Sequence, residues 1–298
     1  MEDFVHLHVH TQYSILDGQS KIPRLVDKAI KDGMKGMAVT DHGVMFGIKE
    51  LVDYCGKVNK DRKKEGLEPF KPIIGCEMYV ARKRLQDKNG KEDQSGYHLI
   101  VLAKNEKGYH NLIKLVSKAW TEGFYMRPRT DRVELEKYHE GLIIASACLG
   151  GEVPQKIMNG TPAEVEEAIS WYKNLFGDDY YLEMQRHKAT VPNANHETYE
   201  RQQEVNRELI KYAEKYGIKL ICTNDVHFVD EDNAEAHDRL ICLSTGKDLD
   251  DPNRMLYTKQ EWMKTREEMN EIFADVPEAL TNTCDICDQV EFYSIDHA

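Results

Sequence analysis

Short apolar runs alternate with amphipathic stretches over most of this chain. Phe4–Val9 has the length and composition of a strand. So do Gly36–Thr40, Pro72–Val80, Tyr97–Ala103, Gly141–Ala147, Tyr180–Gln185 and Lys219–Thr223. Between them the apolar positions recur at helical spacing. From about Lys21 to Asp32, residues Ile22, Leu25, Val26, Ala29 and Ile30 share one face, with Ser20 as the expected N-cap. Further helices are predicted from about Val44 to Lys60 and from Lys107 to Trp120. Thr161-Pro162-Ala163-Glu164 has the form of a capping box that opens a helix to Phe176. A long helix from about Glu197 to Tyr216 stops at Gly217. Gly150–Gly160 carries no clear pattern, and the polar stretches Asn59–Glu68 and Arg84–Ser95 read as loops.

Seven strand–helix units in succession favour a parallel sheet closed into a barrel over an open sheet. The expected fold is therefore α/β: a distorted seven-stranded TIM-like (β/α)7 barrel over residues 1–230. A helical extension follows over 231–298, with helices around Ala234–Leu243, Lys259–Ile272 and Pro277–Asp288. In a regular barrel, reactive side chains gather at the C-terminal ends of the strands. His98 stands at the start of its strand, so that strand has to be displaced or tilted.

Composition narrows the class. With 41% hydrophobic and 31% charged residues the chain has an ordinary globular make-up. No stretch approaches the roughly 20 apolar residues of a membrane span, and the acidic start Met1-Glu2-Asp3 runs straight into a strand, unlike a signal peptide. The seven cysteines are odd in number and mostly lie in apolar runs (Cys76, Cys148, Cys222, Cys242), which suggests reduced thiols and a cytoplasmic setting. A net charge of −12 argues against a surface that wraps duplex DNA. It does not prevent a pocket from drawing phosphate through bound cations.

The candidate chemistry lies where these runs end. His8 and His10 are two apart on the first predicted strand and so share a face, which His6 extends. Asp41-His42 follows Met37–Thr40, and Asp225-Val226-His227 follows Leu220–Thr223. A strand end needing polar turn residues explains one such pair, but not three containing histidine. Glu77 sits inside Ile73–Val80, where a carboxylate is costly to bury unless something positive meets it, a metal or a salt-bridge partner. Cys148, after Ile143–Ala147, is a thiolate ligand or a small buried hydrophobe. With Asp17 and His98, about nine imidazole, carboxylate and thiolate groups are available. That is more than one ion needs, so the pattern suggests a multinuclear hydrolase.

His6-Leu7-His8-Val9-His10-Thr11, with Ser14 and Asp17-Gly18, followed by Thr40-Asp41-His42-Gly43, resembles the opening of a polymerase-and-histidinol-phosphatase (PHP) domain. The resemblance is closer to the N-terminal PHP domains of bacterial replicative DNA polymerase III alpha subunits. It extends through Gly75-Cys76-Glu77, Tyr97-His98-Leu99, Ser146–Gly151 and Thr223–His227, and then through Ala236-His237-Asp238, Thr245-Gly246-Lys247 and Asp250–Met255. It implies a distorted barrel with up to three divalent ions: zinc or manganese, with iron and magnesium as alternatives. The ligands would be His8, His10, Asp17, His42, Glu77, His98, Cys148, Asp225 and His227, with His6 and Asp41 orienting them from behind. Asp17 and Cys148 stand where PHP domains commonly carry histidine. Both still ligate divalent metals, and the thiolate favours zinc at its site.

The implied activity is metal-dependent phosphodiester hydrolysis. Water bound to such ions falls from a pKa of about 15.7 to near 7, which makes hydroxide available at neutral pH. Within a DNA-directed DNA polymerase the substrate would be a DNA 3′ end and the reaction 3′–5′ exonuclease proofreading. The polymerase body of the same subunit and other replisome subunits would be partners. Arg186 and His187 are candidates to face the substrate. Tyr13 is a candidate for stacking on a terminal base, and Arg127, Arg129 and Arg132 for backbone contact, although core packing explains Tyr13 at least as well and a solvated loop explains the three arginines better. Two alternatives remain in view: a catalytically silent scaffold that carries a separate proofreading exonuclease, and a histidinol-phosphatase-like phosphomonoesterase. Cys284-Asp285-Ile286-Cys287 has the spacing of a metal or redox motif, but only His297 lies near enough to complete it. The remaining histidines, His110, His139, His187, His196 and His237, are expected at the surface.

Overall fold

A computed structural model describes residues 1–296, so His297 lies outside the described residues. In chain order the elements are α1 (Ile22–Lys31), β1 (Gly36–Val39), α2 (Ile48–Lys64), β2 (Lys71–Val80), β3 (Tyr97–Ala103) and α3 (Glu106–Thr121). They continue with β4 (Arg129–Thr130), α4 (Arg132–Lys137), β5 (Leu142–Ala145), α5 (Glu152–Asn159), α6 (Pro162–Phe176), β6 (Tyr180–Met184), α7 (Glu197–Tyr216) and β7 (Lys219–Cys222). The last three are α8 (Ala234–Thr245), α9 (Arg266–Ile272) and α10 (Pro277–Gln289).

The strands form one curled sheet in the order β1-β2-β3-β5-β6-β7, with β4 added beside β2. The expected α/β barrel is present, but the sheet is mixed. Strand β3 runs antiparallel to both β2 and β5. That reversal resolves the problem posed by His98: the N-terminal end of an inverted strand lies beside the C-terminal ends of its neighbours.

The first predicted strand is not a regular one. Residues 4–10 instead lie between β1 and the segment that follows β7. Ala38 N–H donates to the His6 carbonyl and Thr40 N–H to the Val9 carbonyl. On the other side, His10 N–H donates to the Val226 carbonyl and Val226 N–H to the His8 carbonyl. This irregular segment closes the sheet. Its side-chain alternation breaks as well: Val5 and Leu7 join an inner core cluster, whereas Val9 joins the outer one.

Six of the strands contribute to the inner cluster, through Ala38, Ile73, Leu102, Ile143, Tyr181 and Ile221 among others. α10 closes its lower end with Cys284, Cys287 and Val290. The Cys-x-x-Cys pair is therefore core packing, and burial pushes the two thiols up to about 11 and 12. The outer cluster packs the helices against the sheet through residues such as Leu25, Leu51, Leu112, Ile169 and Leu209.

Local signals are read with mixed success. Thr161 closes its capping box with Glu164, and Gly217 ends α7 in the left-handed conformation, φ 61°. Ser20 does not cap α1, whose first turn is set by Pro23 after Lys21. Gly150–Gly160, left unassigned above, holds α5. Residues 59–64 extend α2 and are not loop. The helix expected from Lys259 begins only at Arg266, because the preceding segment is used to roof the site. Among the described residues no helix is long and apolar enough to cross a membrane.

Candidate metal centre

All nine predicted ligand side chains converge at one end of the barrel. His8 and His10 come from the closing segment, Asp17 from the loop after it, and His42 from just past β1. Glu77 comes from within β2, His98 from the start of β3, Cys148 from just past β5, and Asp225 and His227 from past β7. In the sheet register Tyr79 pairs with His98, so Glu77, two residues earlier, faces the same side as both.

The donor atoms form three adjoining groups. His8 and His10 present Nε2 to Asp225 Oδ1 at 3.0 and 3.2 Å and to Glu77 Oε2 at 3.4 and 2.9 Å. The other Glu77 oxygen, Oε1, lies 2.8 Å from His98 Nδ1, which is in turn 3.3 Å from Cys148 Sγ. Asp17 Oδ2 lies 2.8 Å from His42 Nε2 and 3.2 Å from His227 Nε2. Glu77 thus spans two groups, and His42 joins it to the third through Nδ1 at 3.0 Å.

These residues fit divalent ions. Donors sharing an ion at about 2.1 Å stand roughly 3 to 3.5 Å apart, which is the spacing seen. Moreover His8 Nε2, His10 Nε2, His42 Nδ1, Glu77 Oε2 and Asp225 Oδ1 are buried without a hydrogen-bond partner. They approach one another but are not aligned as hydrogen bonds. A protein does not ordinarily strand five such atoms in one place, since each costs about 1–3 kcal/mol.

The supporting residues fix which nitrogen faces the centre. His8 Nδ1 is 2.6 Å from Glu183 Oε1, which leaves Nε2 free. His10 Nδ1 is held by Ser14 Oγ at 2.9 Å, and that hydroxyl donates to Asp41 Oδ1 at 2.8 Å. Asp41 thus acts on His10 through Ser14 and is also tied to Thr11. His6 does not join this arrangement. Its Nε2 pairs with the Lys264 carbonyl at 2.7 Å, and burial lowers its pKa to about 4.

Backbone strain accompanies the ligands. Asp225, Ala147 and Leu16 have φ of 48°, 64° and 60°, the left-handed region that non-glycine residues avoid. The last two directly precede Cys148 and Asp17. Gly18 permits the Asp17 loop to fold against the histidine segment, because a Cβ there would lie 2.1 Å from the Thr11 carbonyl oxygen.

Burial opposes charge on His8, His42, His227, Asp17, Glu77 and Asp225, yet their mutual attraction prevails. Asp225, Glu183 and Glu77 raise His8 well above the usual imidazole range, and Glu77 and Asp17 do the same for His42. His227 is raised to about 9, chiefly by Asp17 and Asp225. Glu77, Asp17 and Asp225 are held well below the carboxylate range by the same histidines. Burial pushes the Cys148 thiol up, and the neighbouring carboxylates of Glu77 and Asp225 add to it.

A cavity of about 270 Å³ opens onto the centre, lined by His42, Glu77, His98, Cys148, Asp225 and His227 on one side. His187, Gln185, Gln202, Tyr257 and Glu261 form the rest of its polar wall. A larger cleft of about 510 Å³ lies elsewhere, among Arg24, Asp27, Lys28 and Asp230, away from the donor groups.

Several expectations need correction. Arg186 does not face the cavity; its guanidinium is bound bidentately by Asp275 at 2.6 and 3.0 Å and lies over Phe273. Arg129 is fully buried, donating to the Gly123 and Leu85 carbonyls, so it cannot meet DNA. Tyr13 donates to Glu50 and packs against the core. Arg132 is held by Glu152 and Glu167. His187 and His237 are buried, not superficial: His187 pairs with the Asn224 carbonyl and Gln202, and His237 with the Asp17 carbonyl at 2.8 Å.

Sequence reasoning missed Glu183 and Tyr257. Glu183 sits inside Tyr180–Met184 as Glu77 sits inside β2, so the same signal, a carboxylate in an apolar strand, marked it. Tyr257 donates to Asp17 Oδ1 at 2.7 Å from a segment with no periodic pattern. Replacing Glu183 by glutamine is expected to weaken metal retention about 10- to 100-fold while the fold survives. Competition with a chromogenic chelator measures this, and unchanged affinity would remove Glu183 from the site.

The PHP domain pattern matches residues 6–187. DNA polymerase III subunit alpha of Borreliella burgdorferi is 43% identical over 297 residues, covering 98% of this chain and 24% of that protein. The Treponema pallidum subunit is 41% identical over 285 residues, covering 94% and 22%. The chain therefore spans about a quarter of the length of the curated relatives it matches. Among solved structures, a Bifidobacterium adolescentis protein assigned as a metal-dependent phosphoesterase aligns over 91% of this chain and 96% of its own, with 15% identity and a TM-score of 0.44.

Proposed function

Because the chain belongs to the PHP domain family, we propose that it is the PHP domain of a bacterial replicative DNA polymerase and hydrolyses phosphodiester bonds at a DNA 3′ end with up to three divalent ions. The observation that carries this reading is the set of buried donor atoms left without partners at the meeting point of His8, His10, His42, Glu77 and Asp225. Residues 1–230 would form the metal-binding unit; the segment around 255–261 would roof it, and the helices of 231–296 would lead toward the polymerase body.

Each part of the site has a role in this reading. His8, His10, Glu77 and Asp225 would hold one ion; Glu77, His98 and Cys148 a second; and His42 and His227, beside His10 and with Asp17 against both, a third. Bound ions would supply Lewis acidity and a nucleophilic water at neutral pH. Without metal ions the protons on His8, His42 and His227 offset the charged Asp17, Glu77 and Asp225, so bound ions would supply the surplus positive charge that a phosphodiester seeks. His187 and Tyr257 stand on the cavity wall and would shape it, His187 with both ring nitrogens held by the Asn224 carbonyl and Gln202, and Tyr257 holding Asp17 in place. Cys148 becomes a thiolate only beside a cation, which favours zinc in its group.

Purified chain supplemented with zinc or manganese is expected to retain two or three equivalents by elemental analysis and to shorten single-stranded or mismatched 3′ ends. Fewer than one equivalent would sink the multinuclear reading. Full occupancy without hydrolysis would leave a metal-stabilised scaffold, and preference for a phosphomonoester would favour the phosphatase alternative.

A further inference from the structure

An exposed aromatic stack stands beside the loop that carries His42. Trp120 and Phe124 lie with ring centroids 5.5 Å apart and planes 20° from parallel, and each is 44% exposed. Trp120 Nε1 donates to the carbonyl of Gly43 at 2.7 Å, one residue beyond His42. The same loop touches at a second point, because a Cβ on Gly43 would lie 2.6 Å from Pro128 Cγ. Beneath it, the buried Arg129 ties Gly123 to Leu85. The stack is pinned in place from three sides.

Exposed aromatic surface this well fixed is unusual unless something covers it. Arg127 closes the tight turn at the end of the stack, where Tyr125 N–H donates to the Arg127 carbonyl and Met126 takes a left-handed φ of 64°. Arg127 is exposed, and among the described residues its guanidinium meets only the neighbouring Met126 carbonyl and no carboxylate. A flat stack with an unpaired cation matches a single-stranded nucleic acid, whose bases stack on aromatic faces while its phosphates seek positive charge. A duplex offers no free base faces to such a stack.

We propose that Trp120 and Phe124 form a base-stacking platform, with Arg127 as a phosphate contact, that holds the unpaired strand leading into the metal centre. The inference rests on the proposed hydrolysis at a 3′ end and adds the device that selects unpaired strands. The rigid anchoring lowers the ordering cost of such contacts.

The test is binding without turnover, using an oligothymidine protected by phosphorothioate linkages at its 3′ end. The metal-supplemented chain is expected to bind it with quenching of tryptophan fluorescence, and Trp120→Phe should lose most of the quench. Phe124→Ala, whose ring carries no hydrogen bond, should raise the Kd at least roughly fivefold. Arg127→Gln should lower the slope of log affinity against log salt by roughly 0.7. Native-like affinity in Phe124→Ala and Trp120→Ala, with both variants folded by circular dichroism, would overturn the platform. So would an absence of single-strand binding by the native chain, which would point to a protein cover for this face. Because no bond is cleaved in the assay, failure of the hydrolysis reading would show separately, as loss of turnover on unprotected DNA.

Discussion

Asp225→Asn is expected to reduce phosphodiester hydrolysis by at least about a thousandfold, in line with the several kcal/mol that metal-ion catalysis supplies at about 1.4 kcal/mol per decade. Asparagine is nearly isosteric and, like aspartate, tolerates the left-handed backbone found at position 225. The change therefore removes a charge without disturbing the loop. Asp225 Oδ1 is shared between His8 Nε2 and His10 Nε2, so its loss should cost the site one bound ion. Glu77→Gln makes an informative companion, because Glu77 offers one oxygen to the His8–His10 group and the other to the His98–Cys148 group. It should cost two ions. His10→Ala should likewise abolish turnover. Unchanged rates in all three variants would assign any measured activity to a contaminating nuclease.

Removing the metal is expected to lower the melting temperature, and to lower it more as pH rises from about 6.5 to 9. In the metal-free protein the positive charge at the centre is carried by protons on histidine. His8 and His42 have raised pKa values and His227 titrates at about 9. A group whose folded pKa lies above its unfolded value of about 6.5 stabilises fully below 6.5. That stabilisation fades as pH climbs through the folded value. Asp17, Glu77 and Asp225 have lowered pKa values. Their contribution is already complete above about pH 4.5 and is lost only on acidification. Above 6.5 the stabilisation from these histidine charges therefore fades, that of His227 by about pH 9, while the anions are kept. Divalent ions face less proton competition over the same interval. At a thousandfold excess over Kd the bound metal contributes about 4 kcal/mol, or roughly 6 °C for a chain of this size. Melting curves with and without chelator that superimpose from about pH 6 to 9 would show that the centre is empty or energetically irrelevant.

The sequence reveals the ligand set more readily than the frame that assembles it. His42, Cys148, Asp225 and His227 stand where apolar runs end, and Glu77 is marked by the cost of burying a carboxylate. Strand direction leaves no such trace, so nothing in Tyr97–Ala103 says that β3 is inverted. Residues 4–10 look like a strand by composition, yet their hydrogen bonds to β1 and to 226 break the alternation and take His6 out of the site. Arg129 shows the opposite failure. A guanidinium expected in solvent is fully buried because the Gly123 and Leu85 carbonyls satisfy it. Tyr257 and His237 reach Asp17 from more than 200 residues away, and no local pattern encodes that contact.

The closing role of residues 4–10 also sets an order in time. This segment leaves the ribosome more than 200 residues before the partner of one of its edges, since His8 and His10 pair with Val226. At synthesis rates of about 5–20 residues per second, the wait lasts roughly 10 to 45 seconds. Until then His8 lacks Glu183, Asp225 has not been made, and an unpaired apolar segment is open to wrong pairing. Metal capture by this chain would then mark the closing of the sheet between residues 4–10 and 226.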